Sequence, residues 1–149
     1  MSSDEEELRR LIVELRILEG TIESLRSRIN LVNATLNDLN LANMTLGGIG
    51  KEKVNASTFV PIGGGSYVKA KLESTDKIIY GVGAGVAIEK TIGEVKESIS
   101  NRISQLNRTR RSLEQQLSQV LRKMSEDQDR FRELTAKMER GTGARRINV

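Results

Sequence analysis

Ten apolar residues in the first part of the chain follow one another in alternating steps of three and four: Leu8, Leu11, Leu15, Leu18, Ile22, Leu25, Ile29, Val32, Leu36 and Leu39. That is a heptad seam without an error, with Leu8, Leu15, Ile22, Ile29 and Leu36 at a positions and the others at d. Asn43 and Leu46 continue the register. A stripe of two positions in seven is too narrow for a globular bundle and suits a coiled coil. Ser3, followed three residues later by Glu6, reads as a capping box, and Gly47-Gly48 reads as the helix stop.

A second seam fills the last third of the chain. Ile88, Ile92, Val95 and Ile99 are in step, and a step of four to Ile103 is a stutter. Leu106, Arg110, Leu113, Leu117, Val120, Met124, Asp127, Phe131, Leu134 and Met138 follow, with Arg110 and Asp127 as polar intrusions. Gly141 and Gly143 are expected to end this helix and leave a frayed tail. The two helices would be about 65 and 75 Å long at 1.5 Å per residue. Residues 1–46 carry a net charge of −3 and residues 91–149 a net charge of +5, so the two can lie side by side. The expected arrangement is an antiparallel hairpin whose two ends meet, Leu8–Leu15 near Phe131–Met138.

Residues 47–90 differ in kind. They hold nine of the 13 glycines, the single proline, Pro61, and three of the four aromatics, Phe59, Tyr67 and Tyr80. Ser57–Ile62, Tyr67–Glu73, Lys77–Val82 and Val86–Glu89 read as strands, separated by Gly63-Gly64-Gly65, Ser74-Thr75-Asp76 and Gly83-Ala84-Gly85. Val68, Ala70 and Leu72 share one face, as do Ile78, Tyr80 and Val82. This gives an α+β organisation: an N-terminal coiled-coil helix over 1–46, two β-hairpins over 47–90, a C-terminal coiled-coil helix over 91–140 and a tail over 141–149, all one structural domain. Four short strands cannot bury a core of their own, and their edges invite other chains. Assembly is therefore expected through Phe59, Val60, Ile62, Val68, Leu72, Ile78, Tyr80, Val82 and Val86.

Composition excludes several functions. There is no Cys and no His, which removes disulfides, thiolate chemistry, Cys/His zinc sites and imidazole catalysis. With aromatics at 3% an enzyme core is not expected, and neither is a cofactor or a metal. Gly81-Val-Gly-Ala-Gly-Val86 has Val86 where a dinucleotide motif needs glycine, and Gly47-Gly-Ile-Gly-Lys51 lacks both the first glycine and the hydroxyl residue of a phosphate loop. The sequons at Asn33, Asn43, Asn55 and Asn107 are expected to be chance matches, as no secretion signal is expected, and Asn43 instead suits fixing the register. No apolar run reaches the length of a membrane helix, and the acidic start is unlike a signal peptide, so a cytoplasmic protein is expected.

The heptad arm Leu8–Leu46, the stretch Ser57-Thr-Phe-Val-Pro-Ile-Gly-Gly-Gly-Ser-Tyr-Val-Lys-Ala-Lys-Leu72, the stretch Asp76-Lys-Ile-Ile-Tyr-Gly-Val-Gly-Ala-Gly-Val-Ala-Ile-Glu-Lys90 and the returning helix together resemble the prefoldin family, the α class in particular. Two hairpins rather than one mark that class, since β-class subunits carry a single hairpin, and an archaeal source fits. The resemblance implies a heterohexamer of two α and four β subunits, joined by a β-barrel platform from which coiled coils hang. It also implies an ATP-independent co-chaperone that captures unfolded client proteins at the coiled-coil tips and delivers them to a group II chaperonin. Frayed ends would turn seam residues outward: Leu8, Leu11, Ile12 and Leu15 from one helix, Met124, Phe131, Leu134 and Met138 from the other. The rival reading is a structural coiled-coil scaffold or nucleic-acid-associated protein, resting on Arg102, Arg108, Arg110 and Arg111. Interspersed acids and the lack of stacking aromatics there favour a solvated or inter-helix pairing role instead. Arg145 and Arg146 could pair with Asp4–Glu7 or meet a partner's acidic surface.

Overall fold

The computed structural model describes residues 2–147, and side chains as far as Gly141. In chain order it contains α1 (Ser3–Ile49), β1 (Ser57–Gly63), β2 (Ser66–Lys71), β3 (Lys77–Gly83), β4 (Val86–Thr91) and α2 (Ile92–Ile147). The chain divides into two compact parts, Met1–Val32 with Thr109–Val149, and Asn33–Arg108.

In the first part the helices run antiparallel, as cross-helix ion pairs from Glu7 to Arg130 and from Glu14 to Lys123 establish. Every seam residue of α1 from Leu8 to Val32 is buried or half-buried, with Leu11, Ile22 and Leu25 deepest. On α2 the register holds from Arg110 to Met138, and Leu134 is the most buried at 1% exposure. Burial of a leucine to that degree stabilises the fold by about 1.5–3 kcal/mol.

In the second part Leu39, Leu46, Val95 and Ile99 form the core, with Ile92, Ile103, Leu106, Ile78 and Tyr80 packed on it. The strands form two separate antiparallel hairpins, β1 with β2 and β3 with β4. The two repeat each other. Ser57 pairs Lys71 and Gly63 pairs Ser66; Lys77 pairs Thr91 and Gly83 pairs Val86, each with one irregularity just before the turn. The two-residue loops Gly64-Gly65 and Ala84-Gly85 have positive φ throughout, the left-handed geometry that matches strand twist in a tight hairpin. Ala84, at φ 51°, is the one non-glycine in these loops.

Helix ends depart from the sequence expectation. Ser2, not Ser3, caps α1: its Oγ accepts from the Glu5 N–H at 3.2 Å. Gly47 and Gly48 lie inside α1, which runs on to Ile49, and Gly141 and Gly143 lie inside α2, which runs on to Ile147. None of Gly47, Gly48 and Gly141 takes the positive φ of a glycine stop, so the ladder continues through them. Ile88 belongs to β4, opposite Tyr80, and the α2 seam starts at Ile92. The start of α2 is set by Thr91, whose Oγ1 accepts from the Glu94 N–H at 3.2 Å. Thr91 closes β4 and caps α2 at once, because a capping residue keeps extended backbone geometry. Thr91 with Glu94 three residues on is the signal that reading the seam alone passes over.

Candidate functional site: the coiled-coil end and the hairpin faces

Where the ends of α1 and α2 meet, ionic contacts flank the seam. Glu7 and Glu14 lie one heptad apart on α1, as do Arg130 and Lys123 on α2. Arg130 donates to both Glu7 carboxylate oxygens, Nε to Oε1 at 2.7 Å and Nη2 to Oε2 at 3.0 Å. Lys123 Nζ lies 3.4 Å from Glu14, and Lys137 Nζ lies 3.1 Å from Asp4. Arg130 also reaches Glu133 at 3.3 Å. The hydrogen bonds from Arg130 hold the Glu7 carboxyl below its ordinary value, and they raise the Arg130 guanidinium. Lys123 is raised by its contacts with Asp127 and then Glu14. These groups stay open to solvent, so the pairs fix orientation more than they add stability.

The residues expected to meet clients divide into three kinds. Leu11 and Leu134 are buried in the seam. Leu8, Leu15, Met124, Phe131 and Met138 are half-buried along it. Ile12 lies off the seam and is already exposed. Asp127 occupies a seam position at 3% exposure. Its Oδ1 meets Lys123 Nζ at 2.9 Å, while its Oδ2 has no hydrogen-bond partner among the described residues. A charged group half satisfied inside an apolar seam weakens that seam locally.

The hairpin residues behave differently from one another. Phe59, Val60, Ile62, Val68, Val82 and Val86 are exposed, as expected for a face that awaits another chain. Ile78 and Tyr80 are half-buried and pack on the chain's own helical core, and Leu72 is half-buried at the foot of β2. Ile79 and Tyr67, on the opposite faces of their strands, are more exposed than most of the residues singled out by alternation, Ile79 at 79%. The alternation of Ile78 and Tyr80 against Ile79 was visible, but nothing local tells which face the helices cover. Lys90 Nζ sits 5.5 Å above the Tyr80 ring, which screens the outer side of that aromatic.

Arg110 is half-buried in the seam, 4.0 Å from Glu114 on the same helix, and Arg102, Arg108 and Arg111 are exposed along α2. Arg145 and Arg146 lie outside the described side chains; Asp4 and Glu7 pair with Lys137 and Arg130. Asn43 is half-buried in the seam with its Oδ1 unpartnered among the described residues. No group of three or more His, Cys, Asp or Glu side chains among the described residues is placed to hold a metal ion. No described helix is long and apolar enough to cross a membrane.

Comparison with known proteins agrees with this architecture. The family model described as prefoldin subunit matches residues 18–137. A prefoldin subunit alpha of Methanopyrus kandleri is 35% identical over 113 residues, which cover 76% of this chain and 72% of that protein. A prefoldin subunit alpha of Methanobrevibacter smithii is 29% identical over 136 residues, 91% of this chain and 87% of that one. Among solved structures, a chain of the filamentous prefoldin of Methanocaldococcus jannaschii aligns with a TM-score of 0.67 at 27% identity, covering 76% of this chain and 93% of its own. Two heptad helices that enclose a pair of matching β-hairpins, and a family match that runs from within α1 through all four strands to within α2, place this chain in the prefoldin family.

Proposed function

We propose that this chain is an α-class subunit of an ATP-independent co-chaperone, one that captures non-native proteins at its coiled-coil end and passes them to a group II chaperonin. The observation that carries the reading is the pairing of two unlike surfaces in one prefoldin-family chain. The hairpins expose Phe59, Ile62 and Ile79, which need other strands to cover them. The coiled-coil end holds its apolar residues in a seam that is interrupted by a buried carboxylate and flanked by solvent-exposed ion pairs. On this reading the hairpins join two such chains to four β-class subunits in a cytoplasmic heterohexamer. The end of the coil opens by fraying, and Leu8, Leu11, Leu15, Met124, Phe131, Leu134 and Met138 then join Ile12 in an unselective apolar grip. Methionine adapts to irregular partners, and several weak grips on one client multiply. No catalytic residue is invoked.

Removing residues 1–15 together with 124–149 tests this in the assembled complex. Assembly is expected to persist, by native mass spectrometry, while suppression of client aggregation is lost. Capture that survives the deletion overturns the reading.

A further inference from the structure

The first helix carries a second heptad stripe, on the side away from its seam. Val13, Ile17, Gly20, Ser24, Ser27 and Leu31 follow in steps of four and three, and all six are exposed. Val13 is 57% exposed and Ile17 63%. No charged residue interrupts the stripe, whereas the outward positions of α2 carry Arg122, Glu126, Asp129, Arg132 and Glu133. Gly20 has no reason within the arm: a Cβ there would meet nothing within 4 Å, its φ is not positive, and glycine weakens a helix interior. Beside it runs an open groove of about 510 Å³ lined by Ile17, Gly20, Ser24 and Arg28 of α1 and by Gln116 and Gln119 of α2.

We infer that this face is a docking surface for the same face of a second copy of the chain, packed antiparallel about a two-fold axis at Gly20. The face is self-complementary in shape and in charge. With Gly20 against Gly20, Ile17 falls opposite Ser24 of the second copy and Val13 opposite Ser27, so at the centre of the contact each large side chain meets a small one, while Leu31 at its edge falls opposite Arg10. The flanking positions then bring Arg16 to Glu23 and Glu14 to Arg28, each pair occurring twice by symmetry. Arg16, Glu23 and Arg28 make no ion pair among the described residues. The outer face of α2 offers no such partner, because its charges would oppose burial of Val13 and Ile17. The contact spans only a few helical turns, so it is transient between free chains; because it is antiparallel it joins arms of two assemblies that face each other, and it gains when several arms of each take part. It does not depend on client capture.

The chain has no cysteine, which makes the test clean. Single Gly20→Cys, Val13→Cys and Ser27→Cys variants of the whole chain, each in its native assembly, are oxidised mildly and the linked peptides identified by mass spectrometry. Gly20→Cys is expected to link two copies of this chain at least tenfold faster than Ser27→Cys, because the two-fold sets the Ser27 pair about 20 Å apart along the axis. A mixture of Val13→Cys and Ser27→Cys chains is expected to link to each other. Arg16→Glu should slow the Gly20 link about tenfold, and adding Glu23→Arg should restore it. Equal rates at positions 20 and 27, no link at 20, a link from 20 to a different protein instead, or indifference to the charge reversal each overturns the inference.

Discussion

Asp127 is the residue that most sets this coiled coil apart from an ideal one. It takes a position that the heptad reserves for leucine, it is buried, and half of its carboxylate lacks a partner among the described residues. The position was legible as a polar intrusion because the seam around it is regular. Its partner was not, because Lys123 lies one turn back on the outer side and only the folded helix shows that it reaches inward. Asp127→Leu should therefore stabilise the coil by about 1–3 kcal/mol, the usual cost of leaving a buried polar group unsatisfied. Chemical denaturation of the assembled protein, with amide exchange in residues 3–15 as a local probe, checks this. Slower exchange is expected there, and unchanged exchange would mean that Asp127 does not set local opening. If client capture needs that opening, the same substitution reduces capture while assembly is unaffected.

The elements were read correctly in number and order, and their borders less well. Periods of 3.5 and 2 are properties of long stretches, so errors average out along Leu8–Leu46 or Tyr67–Glu73. A border depends on one residue's backbone angles. Gly47, Gly48 and Gly141 permit a stop but do not impose one, and the helices pass through them. Gly64-Gly65, by contrast, do adopt positive φ, because the strands on either side must pair within two residues. The faces of the strands were the least legible feature, since burial of Ile78 and Tyr80 is decided by helices far away in sequence. That distinction bears on any test of assembly. Ile78→Asp would unsettle the chain's own core, whereas Ile79→Asp changes a side chain that is 79% exposed. We expect Ile79→Asp to leave helix content by circular dichroism unchanged and to lower the mass of the native complex. A complex of unaltered mass would remove β3 from the assembly surface.

At the scale of the whole molecule, the charge imbalance between the two helices resolves into particular pairs, and these give the stability a defined pH window. The Glu7 carboxyl is depressed below its ordinary 4.5 by Arg130, so its contribution is complete above that value and is lost as pH falls through the depressed one. Lys123 is raised above 10.5 by Asp127 and Glu14, so its contribution is complete below that value and is lost as pH rises through the raised one. As these pairs are open to solvent and screened, their share of thermal unfolding followed by circular dichroism should be level between about pH 5 and 10 and fall only slightly on either side. Arg130→Gln should flatten the acid limb, and its Glu7 carboxyl should titrate close to 4.5 by carbon NMR. An unmoved Glu7 titration would show that the bidentate contact is not held in solution.

The two hairpins share one register, one irregularity and one kind of turn, set twenty residues apart in the chain. In the language of polymer chemistry, each isolated two-stranded hairpin has two open edges, so on the assembly proposed above this chain offers four strand-edge valences and a single-hairpin subunit two. Growth then ends by ring closure, when the last open edge meets the first, and not by exhaustion of one kind of subunit.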